Sequence, residues 1–508
     1  MNQTNYIIRG TLLFDFMGML TRAAGFYYKI FLSRTIGAAE IGLFQMAVPV
    51  FTFCSALCGG GIQTAVSHFA AEYRAQKNER GMKLVLLTGL LLSLLLSFVC
   101  MAVLYLNADF IAKRFLLEEL CTELIKILAF SLPFCMIHSC ICGYFMGSKQ
   151  VLPPALAQAV EQFIRIFFVL LLYILTQKNG RQSDAKIMAL GQLAGEAASA
   201  IYCFLCFRLT AIGTRPRPGI FFQILRKEIF AYIRKILSVS FPLSLNRMMM
   251  SVLQAIEAAL LPQILQQTGL TQNEAVSVYG TLTGMSMPMI LFPTALTSAL
   301  SMLLLPAVSE EHALHHRKQI ANTVNASFLG SLLLGSFFLG AFLLFGEDVG
   351  TAVFHSEQAG IYIRRLALIC PLIYINTTML SILHGIGKTS SLLLWHLIGF
   401  ALRLFAIIQL VPLWGINGYL CGMLADQFLM SAFILFTLRH TGLLTAAVSS
   451  SVTRMLLPAI AGGSAALPLL NLCRSLLSAP TFLFLCGTAY CILFLLTALL
   501  VNPELHFF

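Results

Sequence analysis

Apolar residues run along this chain in long blocks, broken by short polar punctuation such as RAQKNER (74–80) and EEHALHHRK (310–318). The blocks exceed the 8 to 20 residues of ordinary globular helices, and several reach the roughly 20 residues that an α-helix needs to cross about 30 Å of hydrocarbon. Lipid offers backbone N–H and C=O groups no partner, so each block is predicted to be a helix that satisfies them internally. The pattern predicts about fourteen spans, near 8–33, 41–70, 84–106, 124–146, 153–176, 186–207, 235–262, 277–305, 323–346, 361–384, 389–411, 416–438, 453–473 and 481–501. No loop between them is long enough for a soluble domain.

Composition agrees: 58% of the 508 residues are hydrophobic and 11% charged, and the mean hydropathy is +0.85, outside the range of soluble domains. The fold class is therefore an all-α integral membrane protein. The net charge of +12 raises the question of nucleic acid, but the basic residues are scattered over short loops with no basic arm or aromatic interleaving. They report topology instead. One alternating set of loops, with Arg9, holds about 18 Lys and Arg against about 10 in the other, and the positive-inside rule places the richer set, and both termini, in the cytoplasm. A cleaved signal peptide is not expected, because the first apolar run is long and is interrupted by Asp15 and Arg22.

The fourteen cysteines lie almost wholly within apolar spans, where a free thiol behaves as a small hydrophobe. The C-x-x-C of Cys203 and Cys206 lacks a nearby His or second pair in sequence and reads as packing. His312, His315 and His316 read as a solvated loop, so no metal and no cofactor is expected.

An internal repeat sets the architecture. AFSLPFCMIHSCICGYFMG (Ala129–Gly147) aligns without gaps to ALICPLIYINTTMLSILHG (Ala367–Gly385), pairing Pro133 with Pro371, and the same register pairs Arg165 with Arg403. After one change of loop length, GQLAGE (191–196) meets GMLADQ (422–427); more weakly, AVS at 65–67 meets AVS at 307–309. A repeat of six helices is even, so both copies enter the membrane in the same direction, the parallel-repeat arrangement of several secondary transporters. The expected domains are an N-lobe over 1–215, a C-lobe over 216–440 and two further helices over 441–508, with a central cavity between the lobes.

Charged residues inside spans are expensive and mark lumens, pairs or pathways. Asp15, Arg22 and Lys29 recur every seven residues, nearly two helical turns, and so form one stripe on the first helix. The stripe faces either a polar lumen or a set of ion pairs that fixes packing. The seventh helix carries Arg247 and Glu257, about 80° apart round the axis, wide enough for one broad lumen. Glu161 and Arg165 are an i, i+4 pair on the fifth helix and read as a structural network with Glu196 of the sixth. Arg403 of the eleventh span is expected to have no local acidic partner, and His138 and His384 read as packed side chains. Arg22, Lys29 and Arg247 suit a phosphate-bearing cargo, since guanidinium grips phosphate in two places.

Thr21-Arg22-x-x-Gly25-Phe26, Arg34-x-x-Gly37-Ala38 and Ala71-Glu72-Tyr73 resemble the opening of the multidrug/oligosaccharidyl-lipid/polysaccharide exporter superfamily. Glu161-Gln162-x-x-Arg165 and Ile256-Glu257-x-x-Leu260-Leu261-Pro262 are similar to stretches of its stage V sporulation protein B and lipid II flippase branch. The resemblance implies alternating access in a bacterial cytoplasmic membrane. It implies an undecaprenyl-pyrophosphate saccharide as cargo, a peptidoglycan precursor above all, with the pyrophosphate on Arg22, Arg247 and Lys29. A two-lobe chain contains its own pathway and can act as a monomer, and cell-wall synthesis enzymes are the natural associates of such a cargo. Sodium-coupled relatives place acidic ligands in the second lobe, but the eleventh span has no carboxylate. That leaves membrane potential, or a proton on Glu257 or Asp15, ahead of sodium.

Two other classes fit parts of the pattern. A cation-coupled multidrug antiporter would need an acidic site, for which Glu257 and Asp15 are the candidates. A polyprenyl-phosphate enzyme would need paired catalytic carboxylates, and Glu118, Glu119, Glu347 and Asp348 lack metal-ligand spacing.

Overall fold

The structure, a computed structural model, describes residues 3–178, 184–210, 218–444, 457–458 and 479–501. Those residues hold helices and connecting turns and no strand. Thirteen of the fourteen expected spans have a helix at their place. They are α1 (Gln3–Thr35), α2 (Ala38–Ala75), α3 (Glu79–Leu106), α4 (Cys121–Gly147), α5 (Leu152–Lys178), α6 (Lys186–Thr210) and α7 (Pro218–Gln267). The chain continues through α8 (Gln272–Leu291 and Thr294–Ala313, bent by 58° at the break), α9 (Arg317–Phe354), α10 (Glu357–Gly385), α11 (Thr389–Gln409), α12 (Ile416–His440) and α13 (Ala479–Val501). The span expected over 453–473 lies outside the described residues except for two positions. By length and composition nine of the described helices can cross a membrane, ten if the bent pair is one span.

Polar side chains close the helix ends. Asn78 Oδ1 accepts the Gly81 N–H (2.8 Å) at the start of α3. Thr271 and Glu274 form a reciprocal capping box at the start of α8, and Ser356 accepts the Ala359 N–H (3.2 Å) at the start of α10. Each cap satisfies backbone donors that the first turn leaves unpaired.

The chain divides into two compact units, Met1–Gln263 and Ile264–Phe508. Within the first, α4 is the hub: α2, α3 and α6 pack on it, and α5 packs on α6. The second unit repeats the scheme, with α8, α9 and α12 on α10, and α11 on α12. The repeat register holds down to turns. Lys149 and Gly387, equivalent by sequence, both take the left-handed conformation, with φ 55° and 78°. Gly147 lies against the Ser67 carbonyl, and the equivalent Gly385 lies against the Leu305 carbonyl, 3.2 Å from where its Cβ would stand; likewise Gly143 lies against the Gln63 carbonyl, and the equivalent Ser381 hydroxyl donates to the Ser301 carbonyl (2.5 Å). These contacts set Ser67 opposite Leu305 and so place the AVS-with-AVS alignment one helical turn out of register.

Outward faces are apolar, as lipid requires. On α5, Phe163, Phe167 and Leu171 form an exposed stripe at i, i+4, i+8. Glu161 and Arg165, two residues out of phase and so about 200° away, face inward. The core of the first unit gathers Ile62, Val66, Val85, Cys140, Phe145 and Cys203; that of the second gathers Val324, Phe328, Met379, Ile382, Ile434 and Leu438. In the second unit α13 packs on α9, where the Tyr490 hydroxyl donates to the Phe337 carbonyl (3.0 Å).

Candidate functional site

Two polar features stand out in the first unit, and α4 borders both. The first is a cavity of about 450 Å³ between α2, α4 and α7. Arg247 is the one charged residue in its lining, among Thr52, Ser55, Gln63, Ser139, Ser251 and Gln254. Its wall on α2 is a π-helical turn, Ala56–Gly60, a wide turn often found at functional positions. Three successive glycines there let α2 close on its neighbours. A Cβ at Gly59 would collide with the Met136 sulfur, one at Gly60 would lie 3.1 Å from Arg247 Cδ, and one at Gly61 would strike the Ser240 carbonyl. The Gly61 N–H donates to Ser244 Oγ (3.0 Å), so α2 and α7 are bonded beside the cavity.

Glu257 lies on the same helix as Arg247 and is 5% exposed. Arg22 is exposed and Lys29 half-buried on α1, which packs on α5. A Cβ at Gly25, between them, would lie 3.2 Å from Gln162 Nε2. Neither Arg22 nor Lys29 lines the cavity that holds Arg247. The side chain of Asp15 lies outside the described residues.

The second feature is a half-buried charge cluster on α4, α5 and α6, in which Glu196 is the deepest member. Arg165 donates to Glu161 Oε1, its i, i+4 neighbour, and to Gln162 Oε1 (3.4 Å). Gln192 Nε2 donates to Glu196 Oε1 (2.9 Å). Between the two acids stands His138, its Nδ1 3.8 Å from Glu161 Oε2 and 3.8 Å from Glu196 Oε2. Glu196 Oε2 is buried without a hydrogen-bond partner. One turn along α4, Cys142 Sγ lies 3.7 Å from Cys203 Sγ. The structure places Glu161, Arg165 and Glu196 around His138, which the sequence reading left as packing.

A family model described as "Polysaccharide biosynthesis protein" matches residues 7–312. The chain belongs to the polysaccharide biosynthesis protein family. It is 26% identical over 452 residues to stage V sporulation protein B of Bacillus subtilis (strain 168), covering 88% of this chain and 85% of that protein. It is 23% identical over 469 residues to the lipid II flippase MurJ of the same organism, covering 86% and 83%. The solved structure of lipid II flippase MurJ in an inward closed conformation superposes with a TM-score of 0.74 at 14% identity, covering 97% of this chain and 99% of that one. This family member therefore sits in the sporulation protein B and MurJ branch of the exporter superfamily, among membrane transporters rather than enzymes.

In the second unit of this polysaccharide biosynthesis protein one expectation is corrected. Arg403 has an acidic neighbour after all: Asp426 Oδ2 of α12 lies 3.8 Å from its Nη1. The acid comes from the adjacent helix, where no inspection of the eleventh span alone would find it. Asn376 stands where the repeat register places His138, and Gln427 where it places Glu196. Asn376 Nδ2 donates to Gln427 Oε1 (3.1 Å), and Ser431 Oγ donates to Asn376 Oδ1 (2.8 Å). The signal that would have found His138 was this register, which matches it with a side chain that makes polar contacts.

Proposed function

We propose that this chain is a lipid-linked oligosaccharide flippase that moves an undecaprenyl-pyrophosphate saccharide, a peptidoglycan precursor such as lipid II, from the inner to the outer leaflet. Two six-helix lobes, 1–215 and 216–440, alternate access to a central cavity, and α13 stands beside the path of the lipid tail. The chain works as a monomer in a bacterial cytoplasmic membrane with both termini inside.

Arg247 is the observation that carries this reading. A guanidinium is permanently charged and presents a planar fork suited to phosphate, and here it lines a cavity whose other polar edges are hydroxyls and amides, beside Met136, Met250 and the glycine turn. Such neutral donors stabilise phosphate oxygens without the cost of burying further charge. Arg22 and Lys29 supply the second contact as α1 and α7 approach during transport. Asp15 and Glu257 are the acids available to counter these cations when the cargo leaves.

The test is reconstitution into liposomes with labelled lipid-linked precursors, followed by leaflet exchange. Arg247→Ala is expected to slow exchange by about tenfold or more, the equivalent of one charge-assisted hydrogen bond of about 1.5–3 kcal/mol. Arg22→Ala should act in the same direction. Normal exchange in both variants, with the protein present in the membrane, would sink the pyrophosphate assignment.

A further inference from the structure

We propose that His138, Glu161 and Glu196 form a binding site for a single exchangeable proton, held as the His138 imidazolium between two carboxylates. The inference is independent of the cargo. It starts from a charge count within the first unit. Arg165 supplies one positive charge and is bonded to Glu161, which balances it. Glu196 is then one negative charge in excess, 5% exposed, with Oε2 lacking any hydrogen bond. A buried carboxylate is retained in the charged state only with a partner. The atom nearest that oxygen in an ion-pairing sense is His138 Nδ1, which is equally distant, 3.8 Å, from Glu161 Oε2. An unprotonated Nδ1 would aim its lone pair at both acids; a protonated one offers the hydrogen they share, and the second proton on the ring cancels the excess charge.

The second unit serves as an internal control. There the count closes without a titrating group: Arg403 faces Asp426, and the equivalents of His138 and Glu196 are the amides Asn376 and Gln427, bonded to each other. His396 of α11 also senses Asp426, but with Arg403 and Asp426 balanced it has no excess charge to neutralise. The same helix scaffold therefore exists in a form whose charges already balance and a form that takes up a proton to balance them.

The groups around His138 are few. From α5 they are Glu161 and Arg165, and from α6 Glu196 and Cys203. From α4 itself they are Cys135 and Cys142, and from α2 comes Ser55, 3.7 Å from the Cys135 sulfur. Cys142 and Cys203 bring two thiols within ligand distance of the same histidine, so a soft metal ion is the competing occupant. Position gives the site its use. Ser139 and Met136 of α4 line the Arg247 cavity, so the helix that carries the proton site also forms a wall of that cavity.

The test uses the purified full chain in nanodiscs, without cargo, in sodium-free and chelated buffer. An infrared titration between about pH 5 and 8, the range in which imidazole changes charge, is expected to show a histidine band and a carboxylate band moving together. His138→Asn should abolish both. Glu196→Gln, the residue the second unit already accommodates, should remove the carboxylate band and change the histidine midpoint while the chain stays folded. Asn376→His with Gln427→Glu should add a second set of bands. An unchanged titration in both His138→Asn and Glu196→Gln would overturn the proposal. So would band changes reproduced at fixed pH by sodium or zinc, which would assign the site to that cation instead.

Discussion

Helices α4, α5 and α6 and their counterparts α10, α11 and α12 each hold one half-buried arginine at the same point of the repeat, but they supply its acid from opposite sides. In the first unit the acid is on the arginine's own helix, Glu161, and the facing helix offers Gly195, where a Cβ would lie 2.8 Å from the Glu161 carbonyl and 3.2 Å from Arg165 Cβ. In the second unit the residue equivalent to Glu161 is Gly399, the residue equivalent to Gly195 is Asp426, and a Cβ at Gly399 would collide with Asp426 Oδ1. The carboxylate has crossed from one helix to its neighbour and the glycine has crossed the other way. What the two units share is a volume and a charge balance, and a sequence position is only one way of meeting them.

That comparison is open to breakage. Gly399→Glu with Asp426 retained puts a second carboxylate into a space built for one, and a cost above about 4 kcal/mol is expected, the range reserved for buried unpaired charge and overpacking. Adding Asp426→Gly, which rebuilds the arrangement of the first unit, should recover most of the loss. Denaturant melting of the single and double variants as a cycle measures the coupling. Additive costs would show that the two arrangements are not interchangeable.

Arg165→Met is expected to cost about 3–5 kcal/mol, because it strands Glu161 and Glu196 in a buried site. Replacing Glu161 and Arg165 together by Leu and Met should cost far less than Arg165→Met alone, as the removal of a whole ion pair often does. Thermal melts of the purified variants provide the ranking, and equal losses would mean that the pair acts through shape rather than charge.

The smallest effect belongs to the neutral network. Ser431→Ala removes the hydrogen bond to Asn376 Oδ1, and interhelical bonds of this kind in membranes are worth about 0.6 kcal/mol. A shift near the limit of a thermal melt is expected; a large one would show that the amides of the second unit are as strongly coupled as the ions of the first.

Much of this was legible in the sequence, and the reasons are physical. Hydropathy measures how long a segment can stay in lipid, so helix existence followed directly from blocks such as 84–106. The gapless register from Ala129 to Ala367 located Arg165 and Arg403 in equivalent places because fold symmetry constrains spacing along a helix. Partners across helices were a different matter. His138 and Glu196 are 58 residues apart, and their meeting depends on how α4 and α6 are rotated, which spacing alone does not fix. Asp426 escaped for the same reason. The π-helical turn at Ala56–Gly60 left no trace in hydropathy, since widening one turn changes neither length nor apolarity.

That turn has a consequence for the rest of α2. Each residue of an α-helix advances the side-chain direction by about 100°, and a π turn holds one residue more than the α turn it replaces. Ala56–Gly60 is thus a phase shift written into the helix. Ile62, Val66 and Phe69 face the core only because the shift precedes them. Straightening the turn to regular α-helix with every residue kept would turn that whole downstream face by about 100°, carrying Val66 away from α4, whereas deleting Leu57 would remove the extra residue and leave the face where it is. A single codon lost inside this turn would be absorbed, while the same loss one turn further along would rotate the rest of the helix.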